Sequence, residues 1–156
     1  GPVTLGRRAS MAMATVALAE SDAAAARERW LPAIASGERV VTFALGEGLG
    51  EWDAARLTTR ATGGALSGEK PLVPYGGIAD AVVVAAVDDA GPGLWLVERG
   101  ARGLDTTPLK GSDMTRRVSL LRFDGTPAVK IAGGRTAIDR ARDAGLVLLA
   151  ADAYGG

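Results

Sequence analysis

The stretch that decides the fold runs from Ala65 to Asp80 and reads Ala-Leu-Ser-Gly-Glu-Lys-Pro-Leu-Val-Pro-Tyr-Gly-Gly-Ile-Ala-Asp. Short apolar runs that end at glycine or proline are typical of strands rather than helices. Leu66 is followed by Ser67-Gly68, and Leu72-Val73 form a second apolar run that closes at Pro74. The pattern therefore predicts two strands folded about a glycine turn.

Strand texture extends over most of the chain, from Arg39 to about Ile131. Val40–Leu45 is rich in β-branched residues, and Val82–Val87 is separated from Leu94–Val97 by aspartates and glycines that predict a hairpin. Short strands with glycine-rich turns and no intervening helix favour an antiparallel β-barrel or sandwich over a Rossmann sheet.

Helical texture occupies both ends. Thr4–Ala35 is rich in alanine, Ser21 has the character of an N-cap, and Pro32 is expected to kink or end the second helix near Trp30. Thr136–Tyr154 returns to a helical pattern. The predicted fold class is α+β, with an antiparallel barrel or sandwich (residues 38–133) flanked by helices of incomplete N-terminal (1–37) and C-terminal (134–156) helical domains.

Composition excludes several classes of function. The 156 residues carry a formal net charge of zero, so no nucleic-acid or anionic-membrane partner is expected. Cysteine is absent, which rules out disulfides and thiol chemistry and fits the cytoplasm. Histidine is absent as well, which removes Ser-His and Cys-His nucleophiles and most zinc sites.

Three local motifs each have two interpretations. Residues 46–50 (Gly-Glu-Gly-Leu-Gly) do not fit a dinucleotide fingerprint, because the third glycine is one residue early and a strand follows; a flexible loop and a degraded cofactor-binding loop stay open. Glu47, Glu51 and Asp53 form either an acid–base or metal cluster or a solvated acidic loop. Residues 113–117 either bind a phosphate or belong to a solvated strand face.

In the order of its motifs the chain resembles the acyl-CoA dehydrogenase family. Ala65–Asp80 resembles the family's L-S/N-G-x-K-x-x-V-x-x-G-x-x-A-D segment, Trp30–Glu38 resembles its LPxIASGE link, and Val41–Glu47 stands where the family has its flavin strand. The resemblance implies FAD-dependent α,β-desaturation of acyl-CoA thioesters, a reaction of lipid metabolism. The family's catalytic glutamate comes from the C-terminal helical domain, so this chain alone is expected to lack the base and to be inactive.

The resemblance also implies which residues contact the ligands. The implied cofactor-binding residues lie in two segments: Phe43, Leu45, Gly46, Leu72, Val73 and Pro74. Trp52 is the implied substrate-binding residue. Gly46 stands where the family has a threonine, Leu72 where it has an aromatic residue, and Pro74 where it has a hydroxyl residue, which implies a weakened FAD site. No catalytic residue and no metal ligand is assigned.

Two other functions fit the same residues. The missing hydroxyl groups fit a non-catalytic subunit of a hetero-oligomeric acyl-CoA dehydrogenase, and the β texture alone fits a plain β-barrel interaction module. For the acyl-CoA dehydrogenase and for the non-catalytic subunit we expect a homo- or hetero-oligomer, with an acyl-CoA thioester as its small-molecule partner.

Overall fold

The structure is a computed structural model that describes residues 2–47, 54–110 and 117–155. The helices are α1 (Pro2–Ala19), α2 (Ala24–Ala35) and α3 (Arg135–Gly155). The strands are β1 (Val41–Ala44), β2 (Arg60–Thr62), β3 (Ala65–Pro74), β4 (Ala81–Asp88), β5 (Gly91–Glu98), β6 (Leu104–Pro108), β7 (Val118–Pro127) and β8 (Val129–Gly133). One turn of 3₁₀ helix, Ala54–Arg56, precedes β2.

The strands form one sheet in the order β6-β7-β3-β2-β4-β5-β8, and β1 pairs with β4 outside this path. The prediction of an α+β fold with a β-domain between helical regions is confirmed. The sheet is mixed rather than wholly antiparallel, because β1 and β2 both lie parallel to β4. It is also not closed into a barrel, since β6 and β8 do not pair within the residues described.

The predicted glycine turn at Ser67-Gly68 is wrong, because β3 is one strand of ten residues. The turn lies earlier, at Gly63-Gly64, where both glycines have positive φ. Gly68 instead allows a close approach: a Cβ atom there would lie 2.8 Å from the Thr59 Cα atom. Gly68 therefore allows close packing and lies near an irregularity in the register between β3 and β7, and it does not reverse the chain.

Two hydrophobic cores cover the two faces of the sheet, and β4 contributes to both. Ala81, Val83 and Ala85 pack into the core beneath the helices, whereas the intervening residues pack into a second core on the opposite face. This alternation follows from the two-residue period of a strand, and burial on both faces explains why β4 is apolar throughout. The helix-side core includes residues from all three predicted segments, among them Met13, Trp30 and Ile138.

The helices are joined to the sheet by contacts that secondary-structure propensities do not predict. The Ser21 hydroxyl donates to the Ile131 carbonyl of β8 at 2.6 Å, and Ala23 rather than Ser21 is the N-cap of α2. Pro32 does not end α2 near Trp30, since the helix continues to Ala35. The proposed domain boundaries fall between elements, with α2 ending at Ala35 and α3 beginning at Arg135.

Gly145 brings α1 and α3 close together. A Cβ atom at Gly145 would lie 2.6 Å from the Met13 sulfur, well inside van der Waals contact. Among the described residues, no helix has the length and apolar character needed to cross a membrane.

Candidate functional site

The two segments implied to bind the cofactor lie side by side. The Thr42 hydroxyl of β1 donates to the Pro74 carbonyl of β3 at 2.7 Å. Farther along, the Lys70 ammonium of β3 donates to the Leu45 carbonyl, with 2.9 Å between Nζ and the oxygen. β1 and β3 are thus connected side by side by two side chains, with the end of β3 next to Thr42 and the residue after β1 next to Lys70, although the two strands share no backbone ladder.

A buried hydroxyl on α1 extends this connection. The Ser10 and Thr42 hydroxyls are hydrogen-bonded to each other, and the Phe43 amide donates to Ser10 Oγ at 3.1 Å. Both hydroxyl residues are buried. The position of Pro74 is therefore linked through Thr42 to the first helix.

Three of the implied cofactor-binding side chains lie inside the cores. Phe43 and Leu45 are 3% and 5% exposed and pack in the helix-side core, while Val73 is 1% exposed and packs in the second core. Their contact with a cofactor stays a prediction.

The other three implied cofactor-binding residues, which form the edge of the candidate site, are more exposed. Leu72 is 46% exposed, and Gly46 and Pro74 are half-buried. Leu72 points away from the core because it alternates with the inward-facing Val73 along β3. Trp52 lies outside the described residues, as do residues 48–51, Asp53 and residues 111–116.

This edge offers exposed apolar surface but few hydrogen-bond donors. Leu72 supplies exposed apolar surface, whereas Gly46 has no hydroxyl group and Pro74 has neither a hydroxyl nor an amide hydrogen. The Pro74 and Leu45 carbonyls already accept bonds from Thr42 and Lys70. Within the described part of the chain, no buried side-chain polar atom lacks a partner that a ligand would satisfy.

Next to this edge lies a buried ion pair. Lys70 Nζ and Glu47 Oε1 are 3.0 Å apart, and the two side chains are 0% and 9% exposed. The amide of Thr59 donates to the same carboxylate at 2.7 Å, and the amide and hydroxyl of Thr58 donate to its other oxygen. The carboxylate thus connects the loop after β1 with β3 and with the segment leading into β2.

Burial and pairing act differently on the two partners. Burial raises the pKa of Glu47, but the hydrogen bond with Thr59, the Lys70 charge and the Thr58 amide together outweigh it and lower that pKa from 4.5 to about 2. Burial lowers the pKa of Lys70 from 10.5 to about 8, and Glu47 opposes this only in part. Both groups are therefore charged at neutral pH, and Glu47 is too weak a base to abstract a proton.

Local sequence indicates this pair only in part. It predicts that Glu47 belongs either to an acidic cluster with Glu51 and Asp53 or to a solvated loop, whereas Glu47 is a buried partner of Lys70. Within the described residues no group of three or more carboxylates could hold a metal ion. The aspartates after β4 form the predicted hairpin turn, in which Asp88 accepts from the Ala90 amide at 2.9 Å.

Comparisons with known proteins agree with this geometry. No protein-family model matches the chain. The sequence is 34% identical to acyl-CoA dehydrogenase FadE27 of Mycobacterium tuberculosis over 100 residues, which are 64% of this chain and 26% of that protein. Among solved structures, a variant of the Tcur3481-Tcur3483 steroid ACAD matches 92% of this chain and 39% of its own, with 32% identity and a TM-score of 0.78.

Two further structures share the fold. A glutaryl-CoA dehydrogenase from Mycobacterium smegmatis matches 92% of this chain and 41% of its own, with 26% identity and a TM-score of 0.80. A glutaryl-CoA dehydrogenase from the same organism, solved in complex with FADH2, has a TM-score of 0.78 over 90% of this chain and 39% of its own. Its identity is 21%, so it supports the fold alone.

The match to these structures extends over nearly the whole chain and takes in the mixed sheet and the helical regions on both sides of it. In sequence and in fold the chain is similar to acyl-CoA dehydrogenases. It spans about a quarter of its curated relative and about two fifths of the structures it matches.

Proposed function

We propose that this chain supplies the β-domain side of an FAD and acyl-CoA site in a dehydrogenase that forms an α,β double bond in acyl-CoA thioesters. The observation that carries the proposal is that β1 and β3 lie beside each other, held by the Thr42–Pro74 and Lys70–Leu45 hydrogen bonds. Two segments that resemble the family's flavin strands in order are thus neighbours in space.

Each residue has a distinct part in this proposal. The Leu72 side chain contacts the apolar face of the ring, and the backbone of Gly46 and Pro74 borders it. Phe43, Leu45 and Val73 hold these two strands in place from within the cores, and Trp52 borders the path of the acyl chain. FAD, when bound, supplies the acceptor for the hydride that leaves the substrate.

No residue of this chain is assigned as the base. Glu47 is already paired with Lys70 and bonded to Thr58 and Thr59, so its carboxylate serves structure. The proton that leaves with the hydride must be taken by a group outside the residues described.

FAD binding tests the proposal directly. The full-length protein is titrated with FAD while flavin fluorescence and visible absorbance are recorded, for wild type and for Leu72→Asp. A charged group at this edge must be desolvated against the ring, so we expect at least about tenfold weaker binding. Val129→Asp is the matched control, because Val129 is a 56% exposed strand residue away from this edge.

Two results would contradict the proposal. The first is a wild-type protein that binds no FAD at any concentration tested, alone or with a partner subunit. The second is an equal effect of the two substitutions, which would mean that Leu72 does not face the flavin.

A second candidate function has its own observation. The proposed edge lacks the side-chain donors at Gly46 and Pro74 that would hold a flavin firmly, which favours a non-catalytic subunit of a hetero-oligomeric dehydrogenase. The name of one matched structure also joins two components, Tcur3481 and Tcur3483. Co-purification with a catalytic relative that itself carries the FAD would support this role, whereas full dehydrogenase activity of the homo-oligomer would contradict it.

A further inference from the structure

A cavity of about 300 Å³ lies beyond the end of β3, away from the ion pair, and the proposed function does not use it. Its walls are the turn after β3 (Gly76, Gly77), the turn after β5 (Arg99, Gly100) and strand β6 (Leu104, Thr106). Its floor is apolar, because Ala79, Val82 and Leu121 are 2%, 4% and 0% exposed.

Arg99, one of the residues that line this cavity, carries a positive charge. Two acidic residues that adjoin lining residues are already paired, Glu98 with Arg29 at 2.6 Å and Asp80 with Arg39 at 3.6 Å, and Asp105 alternates with Thr106 along β6 and so faces the other side of the strand. Within the described residues, the exposed guanidinium of Arg99 makes no ion pair. Because the chain has no net charge, an anion would be attracted by this group rather than by a general positive field.

Two hydroxyl groups face the same region. Thr106 lines the cavity and pairs across the strands with Leu121 of the floor, so these two side chains share one face. Ser119 lies on that face of β7 with its oxygen 3.4 Å from the position of a Cβ atom on Gly77, but it is 4% exposed and does not line the cavity. The Thr106 hydroxyl makes no hydrogen bond within the described part of the chain, so it is available to donate to a ligand.

We propose that this cavity binds a small monocarboxylate with an apolar tail. The carboxylate would accept from the Arg99 guanidinium and from the Thr106 hydroxyl, and the tail would lie on Val82 and Leu121. One guanidinium and one neutral hydroxyl match a single negative charge better than the double charge of a phosphate. At roughly 30 Å³ per water molecule, the volume admits about ten non-hydrogen atoms, which limits the tail to a short chain.

The probe is hexanoate, titrated into the ¹⁵N-labelled chain while amide chemical shifts are recorded. The amides of Gly76, Gly77 and Gly100 report on the cavity, and that of Gly37 reports on the remainder of the fold. A ligand of this size binds with a dissociation constant on the order of 1 mM. Arg99→Gln should weaken binding at least about tenfold and Thr106→Val about fivefold, because each removes a donor to the carboxylate.

The matched control is Arg102→Gln, since Arg102 is exposed in the same turn and does not line the cavity. Hexanoate shifts that weaken in Arg99→Gln and not in Arg102→Gln would support the site. The proposal is overturned if hexanoate produces no shifts at about 20 mM, well above that expected constant. It is also overturned if both arginine substitutions act equally, or if 1-hexanol binds as tightly as hexanoate.

Discussion

Glu47→Gln is the substitution whose effect the structure specifies most fully. It removes the negative charge from a carboxylate 3.0 Å from Lys70 Nζ, in a pair whose side chains are 0% and 9% exposed. Lys70 would keep only neutral acceptors, the Leu45 carbonyl and the amide oxygen of the new side chain. Breaking one side of a buried pair costs about 3–5 kcal/mol, because the remaining charge is left without compensation.

The lowered pKa of Glu47 gives an independent estimate. The fall from 4.5 to about 2 means that the folded state holds the ionised carboxylate more favourably than the unfolded state does. That difference corresponds to roughly 3 kcal/mol at neutral pH. The two estimates agree, so we expect Glu47→Gln to lower the free energy of unfolding by about 3 kcal/mol.

Urea unfolding at pH 7, followed by far-UV circular dichroism, measures this change. The matched control is Glu69→Gln, which removes a carboxylate from the exposed pair with Arg122, where both side chains are 57% exposed. That change should cost less than about 1 kcal/mol. A loss for Glu47→Gln as small as that of the control would refute the reasoning.

The double substitution Glu47→Gln with Lys70→Met tests whether the loss of stability arises from the uncompensated charge of Lys70. Burial lowers the pKa of Lys70 to about 8, so the charged lysine itself costs stability at neutral pH. Replacing both charges should therefore recover most of the loss caused by Glu47→Gln alone. If the double variant is less stable than the single variant, Lys70 is held by contacts other than this carboxylate.

Two further predictions concern pH and helix packing. Because the folded-state pKa of Glu47 lies below its unfolded value, its contribution to the free energy of unfolding is present above about pH 4.5 and is lost as the pH falls toward about 2. In acid titrations of stability the wild type should therefore lose up to roughly 3 kcal/mol over this window. The double variant should lack this component. Gly145→Ala should destabilise the wild type by about 1–2 kcal/mol, because the new methyl group meets Met13 at 2.6 Å. In a Met13→Ala background the same change should instead stabilise by up to about 1 kcal/mol through helix propensity, and a result of the same sign in both backgrounds in urea unfolding would contradict the packing argument.

The alternation of apolar and polar residues, and the change between helical and strand patterns along the chain, predicted much of the fold correctly. The β-domain between helical regions follows from the change in pattern near Gly37 and Gly134, and the β4–β5 hairpin follows from its aspartates and glycines. The turn expected at Ser67-Gly68 failed for a physical reason. Local chemistry cannot distinguish a glycine that reverses the chain from one that admits a neighbouring backbone, here that of Thr59.

The site residues were assigned from the order of the motifs alone, and their contact with a cofactor stays a prediction. The order of the motifs aligned Gly46 and Pro74 with the family's flavin-binding positions. It did not predict that Phe43, Leu45 and Val73 are buried, because burial depends on which face of its strand each residue occupies. The partners of Ser21 and Glu47 are distant in sequence, Ile131 and Lys70 respectively. Such contacts arise from the assembled sheet, and no local pattern encodes them.

The most direct test of the proposed flavin edge is the FAD affinity of the full-length protein with and without Gly46→Thr and Pro74→Thr. Gly46 has no positive φ, and the Thr42 bond is to a backbone carbonyl of residue 74, so the fold should accept both changes. Two new donors at roughly 1 kcal/mol each predict FAD binding about thirtyfold tighter. An unchanged affinity together with an unchanged melting temperature would contradict the account, because these positions would then not face a flavin.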